Sequence, residues 1–293
     1  MLFQKKVLSS LSIAVCLATA LPGIGIAQEN ATSGMSVESI LAAQPAEIKE
    51  RYGARHPLET LKFCEVKAGD AIIETLPGRG WYSGILYPLA GKTGRLIGAQ
   101  YPESMFERIG LPKERIKTIL ERNAKWKGTT ASQSVGSGGR IESYTMTEMP
   151  DSLKGVADKV LFIRSLHNLS RLNKETGYLT KSISEALAAL KPGGIVCIVQ
   201  HRAPETASDD WANGSKGYLK QSKLISLFKD AGFKFVEAQE INANPKDRPT
   251  ETDSVWRLPP SLRGTEPDSP EWKKNKEVGE SDRMTLKFMK PTS

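Results

Sequence analysis

The amino-acid sequence predicts an α/β fold in which a mostly parallel sheet is covered by helices on both faces. Short apolar runs alternate along the chain with amphipathic helical segments, the pattern of repeated strand–helix–strand units. Residues 71–82 read as a strand that ends in a carboxylate and passes through a Gly-x-Gly turn into a helix. No crossover helix separates the last two apolar runs, so we expect the final strand to enter antiparallel, as a hairpin partner of residues 233–238.

Seven strands are predicted from the short apolar or alternating runs of the 293-residue chain. They cover residues 71–74, 95–100, 140–145, 158–164, 195–199, 233–238 and 283–289. The helical segments between them are predicted at residues 82–89, 105–126 (interrupted near Pro112), 180–190 and 219–231. The Ser- and Gly-rich residues 128–139 read as a loop, and the Lys-Pro-Gly-Gly sequence at 191–194 is expected to end the helix before the fifth strand.

A helical cap is predicted ahead of the first strand. Residues 37–51 read as one helix and residues 56–63 as a second, with Pro57 in the first turn, where a proline is tolerated. We therefore expect a leader and N-terminal helix over residues 28–53. The main domain is expected over residues 54–293, with a C-terminal extension in which 242–278 form a lid-like insertion before the last strand.

The first residues have the features of an export signal. Two lysines precede an apolar stretch, residues 7–26, which Pro22 interrupts and which ends in a small-x-small pattern at Ala27. A transmembrane anchor is the alternative, and the serines, glycines and proline within the stretch weaken it. We expect residues 1–27 to be a signal peptide cleaved after Ala27. The mature protein would then be exported, periplasmic or secreted, with no stable membrane insertion after cleavage.

The overall charge is basic but diffuse. The chain carries 41 Lys and Arg against 33 Asp and Glu, a formal net charge of +8. These basic residues are interspersed with acidic ones and form no dense cluster with interleaved aromatic residues, so we expect a solvated basic surface and no nucleic-acid partner. The sequence does not determine the oligomeric state.

Two cysteines, Cys64 and Cys197, remain after removal of the predicted signal peptide. An oxidising compartment would permit a disulfide between them. Cys197, however, lies within the apolar run 195–199, where we expect it to act as a small buried hydrophobic residue. The cysteines have no metal-ligand spacing and the three histidines are far apart in sequence, so no metal site is expected.

Five motifs in a fixed order give the sequence a resemblance to a known family. They are Glu74-Thr75-Leu76-Pro77-Gly78-Arg79-Gly80-Trp81-Tyr82, Leu166-His167-Asn168, His201-Arg202-Ala203, Ile241-Asn242-Ala243-Asn244-Pro245 and Gly279-Glu280-Ser281-Asp282-Arg283-Met284. With the seven-strand pattern and the Leu-Lys-Pro-Gly-Gly sequence at 190–194, the chain resembles the class I S-adenosylmethionine-dependent methyltransferases. More narrowly, residues 54–291 resemble an exported bacterial group of predicted methyltransferases. The resemblance implies a Rossmann-like doubly wound sheet, S-adenosyl-L-methionine as cofactor, and methyl transfer to an unidentified small-molecule acceptor.

The resemblance also implies which residues bind the cofactor. In class I methyltransferases the turn after the first strand wraps the methionine portion, and an acidic residue that ends the second strand usually holds the ribose. Two positions depart from this pattern, because Leu76 stands in place of the first motif glycine and Gln100 in place of the acidic residue. The expected cofactor-binding residues are Glu74, Pro77, Gly78, Gly80, Trp81, Gln100, Tyr101 and Arg164.

A nicotinamide-dependent dehydrogenase is the alternative reading of the same turn. Its G-x-G-x-x-G fingerprint would place a glycine at Ser83, and it would normally place an acidic residue at the end of the second strand. Neither is present, and the acidic residue lies on the first strand, at Glu74. The sequence therefore favours the methyltransferase.

Candidate catalytic and substrate-binding residues follow the fourth and fifth strands, because ligands bind at the carboxyl ends of parallel strands. His167 and His201 are the candidates for a catalytic base, needed only if the acceptor must lose a proton. Asn168 and Arg202 are the candidates for substrate contacts. The structural alternatives are a histidine hydrogen-bonded within its loop at position 167, and a His–Arg pair at 201 and 202 that satisfies loop carbonyl groups.

A second function of a different class remains open. Leu76 and Gln100 favour a non-catalytic, exported small-molecule-binding protein with a degenerate methyltransferase fold. Glu74, Gly78 and Gly80 favour the enzyme.

Overall fold

The structure is a computed structural model that describes residues 35–136 and 138–292. The predicted signal peptide, residues 1–27, lies outside the described residues. Within the described ranges, no helix has both the length and the apolar character needed to cross a membrane.

In this part of the chain, seven strands form one sheet. They are β1 (Ala71–Thr75), β2 (Arg95–Gln100), β3 (Arg140–Thr145), β4 (Ala157–Ile163), β5 (Leu190–His201), β6 (Lys234–Gln239) and β7 (Arg283–Met289). Their order in the sheet is β3-β2-β1-β4-β5-β7-β6. Strands β1 to β5 are parallel, and β7 is antiparallel to both β5 and β6. The predicted fold class, with its antiparallel last strand paired to β6, is confirmed.

The helices cover the ends and both faces of the sheet. They are α1 (Val37–Ala43), α2 (Ala46–Lys49), α3 (Tyr52–Arg55), α4 (Pro57–Phe63), α5 (Ser83–Ala90), α6 (Glu103–Arg108), α7 (Lys113–Gln133), α8 (Leu166–Arg171), α9 (Asn173–Thr176), α10 (Tyr178–Ala189), α11 (Gln221–Asp230) and α12 (Pro270–Val278). Successive strand residues enter opposite apolar cores. Ile72 packs with α1, α4 and α5, whereas Ile73 packs with residues of α6, α7, α8 and α10. This alternation makes the sheet doubly wound.

The predicted single helix over residues 37–51 is wrong. The chain forms α1 and α2 with a break at Gln44 and Pro45, both of which have extended backbone. Proline has no N–H to donate and disfavours helical geometry in the residue before it, so α1 ends there.

The predicted loop over residues 128–139 is also wrong in its first half. Helix α7 continues to Gln133 because Trp126 and Thr130 are buried against the sheet. A Cβ at Gly128 would meet nothing within 4 Å, so this glycine faces open space and forms no turn. Beyond the helix, the hydroxyl of Ser134 donates to the carbonyl of Thr130 at 2.7 Å.

Strand β5 begins earlier than predicted, at Leu190, so the Lys-Pro-Gly-Gly sequence belongs to the strand. Leu190 pairs in parallel register with Ala157, and the register shifts between Ala157 and Lys159 before regular pairing resumes. The helix before it ends at Ala189, one residue before the predicted end at Leu190.

A disulfide joins the cap to the sheet. Cys64, directly after α4, is bonded to Cys197 in the middle of β5, with an S–S distance of 1.95 Å and a Cα–Cα distance of 5.4 Å. Both residues are buried in the apolar cluster that the cap helices form with one face of the sheet. The expectation that Cys197 acts only as a buried hydrophobic residue is therefore wrong, because the cap places a second cysteine against it.

Candidate functional site

A cavity of about 1100 Å³ opens at the carboxyl ends of the parallel strands. Its floor is made by residues that end or directly follow β1, β4 and β5, including Glu74, Arg164 and His201. The cap, helices α6 and α7, and residues Val255 to Ser261 of the C-terminal extension provide further walls. This is the position at which open parallel sheets bind their ligands.

The turn from β1 to α5 forms one wall. Leu76, Gly78 and Gly80 adopt left-handed backbone conformations, with φ values of 49°, 61° and 79°. The N–H of Leu76 donates to the carbonyl of Ala99 at 2.8 Å, and that of Gly80 donates to Pro77 at 2.8 Å. A non-glycine residue in this conformation costs about 1 kcal/mol or more. The turn therefore keeps its left-handed shape at Leu76, where the family pattern has a glycine, at a cost in strain.

Glu74, at the end of β1, is held by a buried hydrogen-bonded chain. The hydroxyl of Ser83 donates to its carboxyl group at 2.6 Å, and the Trp126 indole N–H donates to the Ser83 oxygen at 3.0 Å. The Trp126 ring packs directly against Gly98, where a Cβ would lie only 2.6 Å from the ring. A glycine at this position therefore leaves the space that the ring occupies. Burial raises the pKa of Glu74 to about 7, an effect that the Ser83 hydrogen bond only partly offsets. The carboxyl group thus changes charge near neutral pH.

Trp81 lies between the turn and the cap. The Arg55 guanidinium is 4.4 Å from the centre of its ring, and Tyr52 and Tyr82 pack against its edges or faces at 6.1 and 4.7 Å between ring centres. Trp81 also lines the cavity, and its buried indole N–H has no hydrogen-bond partner among the described residues. Aromatic packing and a ligand contact are compatible at this position.

Of the two cofactor-binding residues predicted at the end of β2, only one lines the cavity. Tyr101 lines the cavity, and its hydroxyl donates to the carbonyl of Ser165. Gln100 does not line the cavity. Its side-chain amide is buried, and both amide atoms lack a partner in the described part of the chain. Side chains alternate along a strand, so Gln100 and its neighbour point in different directions. The structure does not bring Gln100 together with the other predicted cofactor residues.

His167 and His201 lie side by side on the cavity floor, with ring centres 5.4 Å apart. Gln200 donates through Nε2 to the Gly217 carbonyl at 3.0 Å, which turns its Oε1 towards Nδ1 of His167, 3.4 Å away. We therefore assign the proton to Nδ1 of His167, which leaves Nε2 as an acceptor. Burial lowers the pKa of His167 to about 4 and that of His201 well below its usual value. Both rings are neutral at neutral pH.

Of the remaining predicted residues, Pro77, Arg164 and Asn168 line the cavity and Arg202 does not. Arg202 donates to Asp282 at 2.8 and 3.1 Å and to Glu240 at 2.8 and 2.7 Å. These carboxylates hold its guanidinium away from the cavity. Arg202 is therefore fully engaged with Asp282 and Glu240 and is not part of the candidate site.

A buried carboxylate, Glu280, joins the cap to the cavity floor; it belongs to the fifth sequence motif but was not among the predicted site residues. It accepts hydrogen bonds from Arg51 and Arg283, and lies 3.4 Å from Arg55 and 3.9 Å from Arg164. Burial alone raises its pKa, but the surrounding guanidinium groups outweigh burial and hold the pKa below the usual value. These residues are far apart in sequence, and no local pattern marked them as neighbours.

The strand order, the antiparallel β7 and the glycine turn after β1 together define a class I methyltransferase-type fold. Neither a family model nor a curated protein matches the chain. Solved structures of this fold do match.

The chain is similar to a structure of the complex between the Trm112 methyltransferase activator and the putative methyltransferase of Haloferax volcanii, with a TM-score of 0.50, 14% identity and coverage of 87% of this chain and 98% of that one. It is similar to a putative sarcosine dimethylglycine methyltransferase from Galdieria sulphuraria, with a TM-score of 0.50, 11% identity and coverage of 85% and 91%. A SAM-dependent methyltransferase from Aquifex aeolicus gives a TM-score of 0.48, 13% identity and coverage of 87% and 98%. At these identities the first two similarities show the fold alone.

Proposed function

We propose that the protein is an S-adenosylmethionine-dependent methyltransferase that acts on a small-molecule acceptor. The observation that carries the proposal is the left-handed glycine turn after β1, which opens on the cavity beside the buried Glu74. The structural similarity to methyltransferases of the same fold supports it.

The cavity residues fit such a cofactor. Gly78 and Gly80 leave the turn without side chains on the ligand side, and Trp81 offers an aromatic face and an indole N–H without a partner. The cavity volume of about 1100 Å³ is slightly above the range for single ligands, which is roughly 300–1,000 Å³. A methyl donor and an acceptor need to be held together, and the volume is sufficient for both.

The cofactor, when bound, supplies a methyl group on a sulfonium centre that an acceptor atom displaces in line. The work of this chain is to align the two ligands and to exclude water. His167 lines the cavity, is neutral, and has its Nε2 available as an acceptor. We propose that this nitrogen takes the proton from an acceptor that must lose one.

A non-catalytic binding protein with the same fold is the second candidate. It is favoured by the position of Gln100, which leaves no side chain of the usual kind at the ribose, and by the strained Leu76. If the protein only binds its ligand, binding is expected without turnover. If it is an enzyme, both binding and turnover are expected.

Calorimetric titration of the purified protein with S-adenosylmethionine and S-adenosylhomocysteine tests the proposal. We expect micromolar binding in the wild type and its loss in Gly78→Val, which places a branched side chain in the turn. Gly155→Val is the matched control, because Gly155 has a similar φ of 66° and faces open space outside the cavity. Equal affinity in a folded Gly78→Val protein contradicts the assignment of the turn.

We also propose that the protein is exported and belongs with the exported bacterial group that its sequence resembles. The disulfide between Cys64 and Cys197 supports this, because disulfides persist in oxidising compartments. The intact mass of the protein recovered from the producing cells tests it. Export predicts a chain that begins at Gln28, and a chain that retains residues 1–27 in the cytoplasm overturns it.

A further inference from the structure

The cavity wall carries an excess of positive charge. Among the described residues that line it are six arginines and three glutamates, with no lysine or aspartate, an excess of three positive charges. The arginines are Arg51, Arg55, Arg79, Arg115, Arg122 and Arg164. Glu74, with its pKa near 7, is uncharged part of the time at neutral pH, so the excess is larger in that state.

Near Glu280, two of these guanidinium groups share the one carboxylate at 3.4 and 3.9 Å but have incomplete hydrogen bonding. The oxygens of Glu280 accept hydrogen bonds from Arg51 and Arg283. Arg55 is only 4% exposed, yet its Nε and Nη1 have no hydrogen-bond partner, and the Arg164 side chain makes no hydrogen bond to the described residues. Burial, and then repulsion by Arg164, lowers the pKa of Arg55 to about 9.

A strained backbone keeps Arg164 in this position. Its φ is 57°, while its N–H donates to the Val199 carbonyl at 2.7 Å and so extends the pairing of β4 with β5 by one residue. Burial lowers the pKa of its guanidinium to about 10, and repulsion by Arg283 adds to that effect. Strained residues that persist in a folded protein are concentrated at ligand-binding sites.

A second group of arginines lies beside the glycine turn. Arg79, Arg115 and Arg122 form no ion pair and no side-chain hydrogen bond within residues 35–136 and 138–292, and the buried Nε of Arg122 is without a partner. Burial lowers the pKa of Arg122, and the charges of Arg79 and Arg115 lower it further. Arg79 and Arg115 are exposed, whereas Arg122 is half-buried like Arg164. This wall therefore adds positive charge to the cavity, and within the group only the Arg122 guanidinium is partly withdrawn from solvent without a partner.

The proposed cofactor cannot neutralise both groups. S-adenosylmethionine carries a sulfonium, an ammonium and one carboxylate, so its own net charge is positive. One carboxylate satisfies one set of guanidinium groups at most, and binding of the cofactor increases the positive charge in the cavity. Unpaired buried charge is unfavourable, and planar guanidinium groups pair best with carboxylate or phosphate oxygens.

We infer, on the basis of the proposed function, that the methyl acceptor is an acidic small molecule with two or more carboxylate or phosphate charges, bound by the cavity arginines whose hydrogen bonding is incomplete. An acceptor of this class brings the negative charge that neither Glu280 nor the cofactor provides. Neutral molecules of the same size are excluded because they leave the guanidinium groups desolvated and unpaired.

Calorimetry on the protein saturated with S-adenosylhomocysteine, which cannot transfer a methyl group, tests the inference. The probes are citrate, pyrophosphate and the neutral ester trimethyl citrate, at matched ionic strength. We expect citrate or pyrophosphate to bind with a dissociation constant below about 1 mM and trimethyl citrate not to bind. The anion that binds more tightly shows whether the acceptor carries carboxylate or phosphate groups. Arg164→Gln and Arg122→Gln should each weaken anion binding about tenfold.

Two further variants keep the test specific. Arg164→Lys keeps the charge and should retain part of the affinity, whereas Arg140→Gln, at an exposed arginine paired with Glu142 on β3, should change nothing. If S-adenosylhomocysteine binds but neither anion does, or if both glutamine variants bind the anions as tightly as the wild type does, the inference is overturned and the proposed function stands. If S-adenosylhomocysteine itself does not bind in the first titration, the proposed function is overturned.

Discussion

The two segments that close the cavity are attached to the sheet by different kinds of interaction. The cap, residues 37–63, is followed by Cys64, whose disulfide to β5 is covalent. The C-terminal extension, residues 242–282, is held by ion pairs and hydrogen bonds centred on Asp247 and Asp282. Reduction therefore acts on the attachment of the cap alone, whereas changes of charge act on the extension and on the ion pairs between the cap and Glu280.

The anchor of the extension is a buried carboxylate. Asp247 accepts hydrogen bonds from Arg257 at 2.9 Å, from the Tyr218 hydroxyl at 3.1 Å and from the Asp282 N–H at 3.0 Å. Asn242 completes the attachment, because its amide donates at 3.0 Å to Thr60 of the cap and at 3.0 Å to Thr285 of β7. The two covering segments therefore meet at this asparagine.

Removal of the disulfide should give the largest effect. In Cys64→Ala/Cys197→Ala we expect the free energy of unfolding, measured in urea, to fall by about 4 kcal/mol, because a bond that closes so long a loop restricts the unfolded chain strongly. The loss should be independent of salt. A reducing agent should reproduce it in the wild type and leave the double variant unchanged. A salt-dependent loss would contradict this assignment.

Neutralisation of the anchor of the extension should be the next largest effect. Asp247→Asn removes the charge that pairs with Arg257, whose side chain is only 16% exposed, and should lower the free energy of unfolding by about 3 kcal/mol. Limited proteolysis should then cut within residues 248–269. Asp209→Asn, which breaks an ion pair whose aspartate is 82% exposed, is the control and should cost less than about 0.5 kcal/mol.

Glu74, beneath both segments, should determine a pH dependence that neither covering segment shows. Its pKa is raised from 4.5 to about 7 when folded, so the folded protein binds more protons than the unfolded chain between these values. Stability should therefore fall as pH rises from about 4.5 to about 7, by about 2 to 3 kcal/mol from this residue. His167 and His201, whose pKa values are lowered by burial, contribute the opposite pH dependence in both proteins. The decline should therefore appear as a fall, across this range, in the difference between the unfolding free energies of the wild type and Glu74→Gln, measured by urea denaturation. An identical pH slope in both proteins would contradict the burial argument.

Arg202→Gln should have the smallest effect. Its two carboxylate partners are partly exposed, so we expect a loss of about 1 kcal/mol in the free energy of unfolding and no change in the affinity for S-adenosylhomocysteine. Denaturation curves measure the change in the free energy of unfolding, and calorimetric titration measures the affinity for S-adenosylhomocysteine. A large loss of ligand affinity would mean that Arg202 acts on the cavity after all.

Local sequence patterns were sufficient to predict the strands of the sheet and the glycine turn beside the proposed cofactor position. β2, β3 and β7 have the predicted bounds, because alternating or apolar runs bounded by turn residues determine where such strands begin and end. The turn at Gly78 and Gly80 was visible for the same reason. Pro45 also indicates the helix break, but the apolar periodicity continues on both sides of Pro45 and favours a single helix.

The remainder of the site depends on contacts between distant residues. Arg55 and Glu280 meet only because the cap packs against the start of β7, and no periodicity encodes that contact. An apolar strand looks the same whether its cysteine is free or paired, so Cys197 could not be assigned. The burial of Gln100 away from the cavity depends on the direction its side chain takes at the end of β2, which its residue type does not reveal.

The disulfide also changes what a single break in the backbone does to this molecule. Residues 64 and 197 are the ends of a covalent ring that contains β1 to β4 and the whole glycine turn. A protease that cuts once within the ring, for example at the half-buried Ser134 and Val135 after α7, opens the ring and releases no fragment. The nicked chain remains one molecule, with its cap, turn and sheet still joined, until the disulfide is reduced.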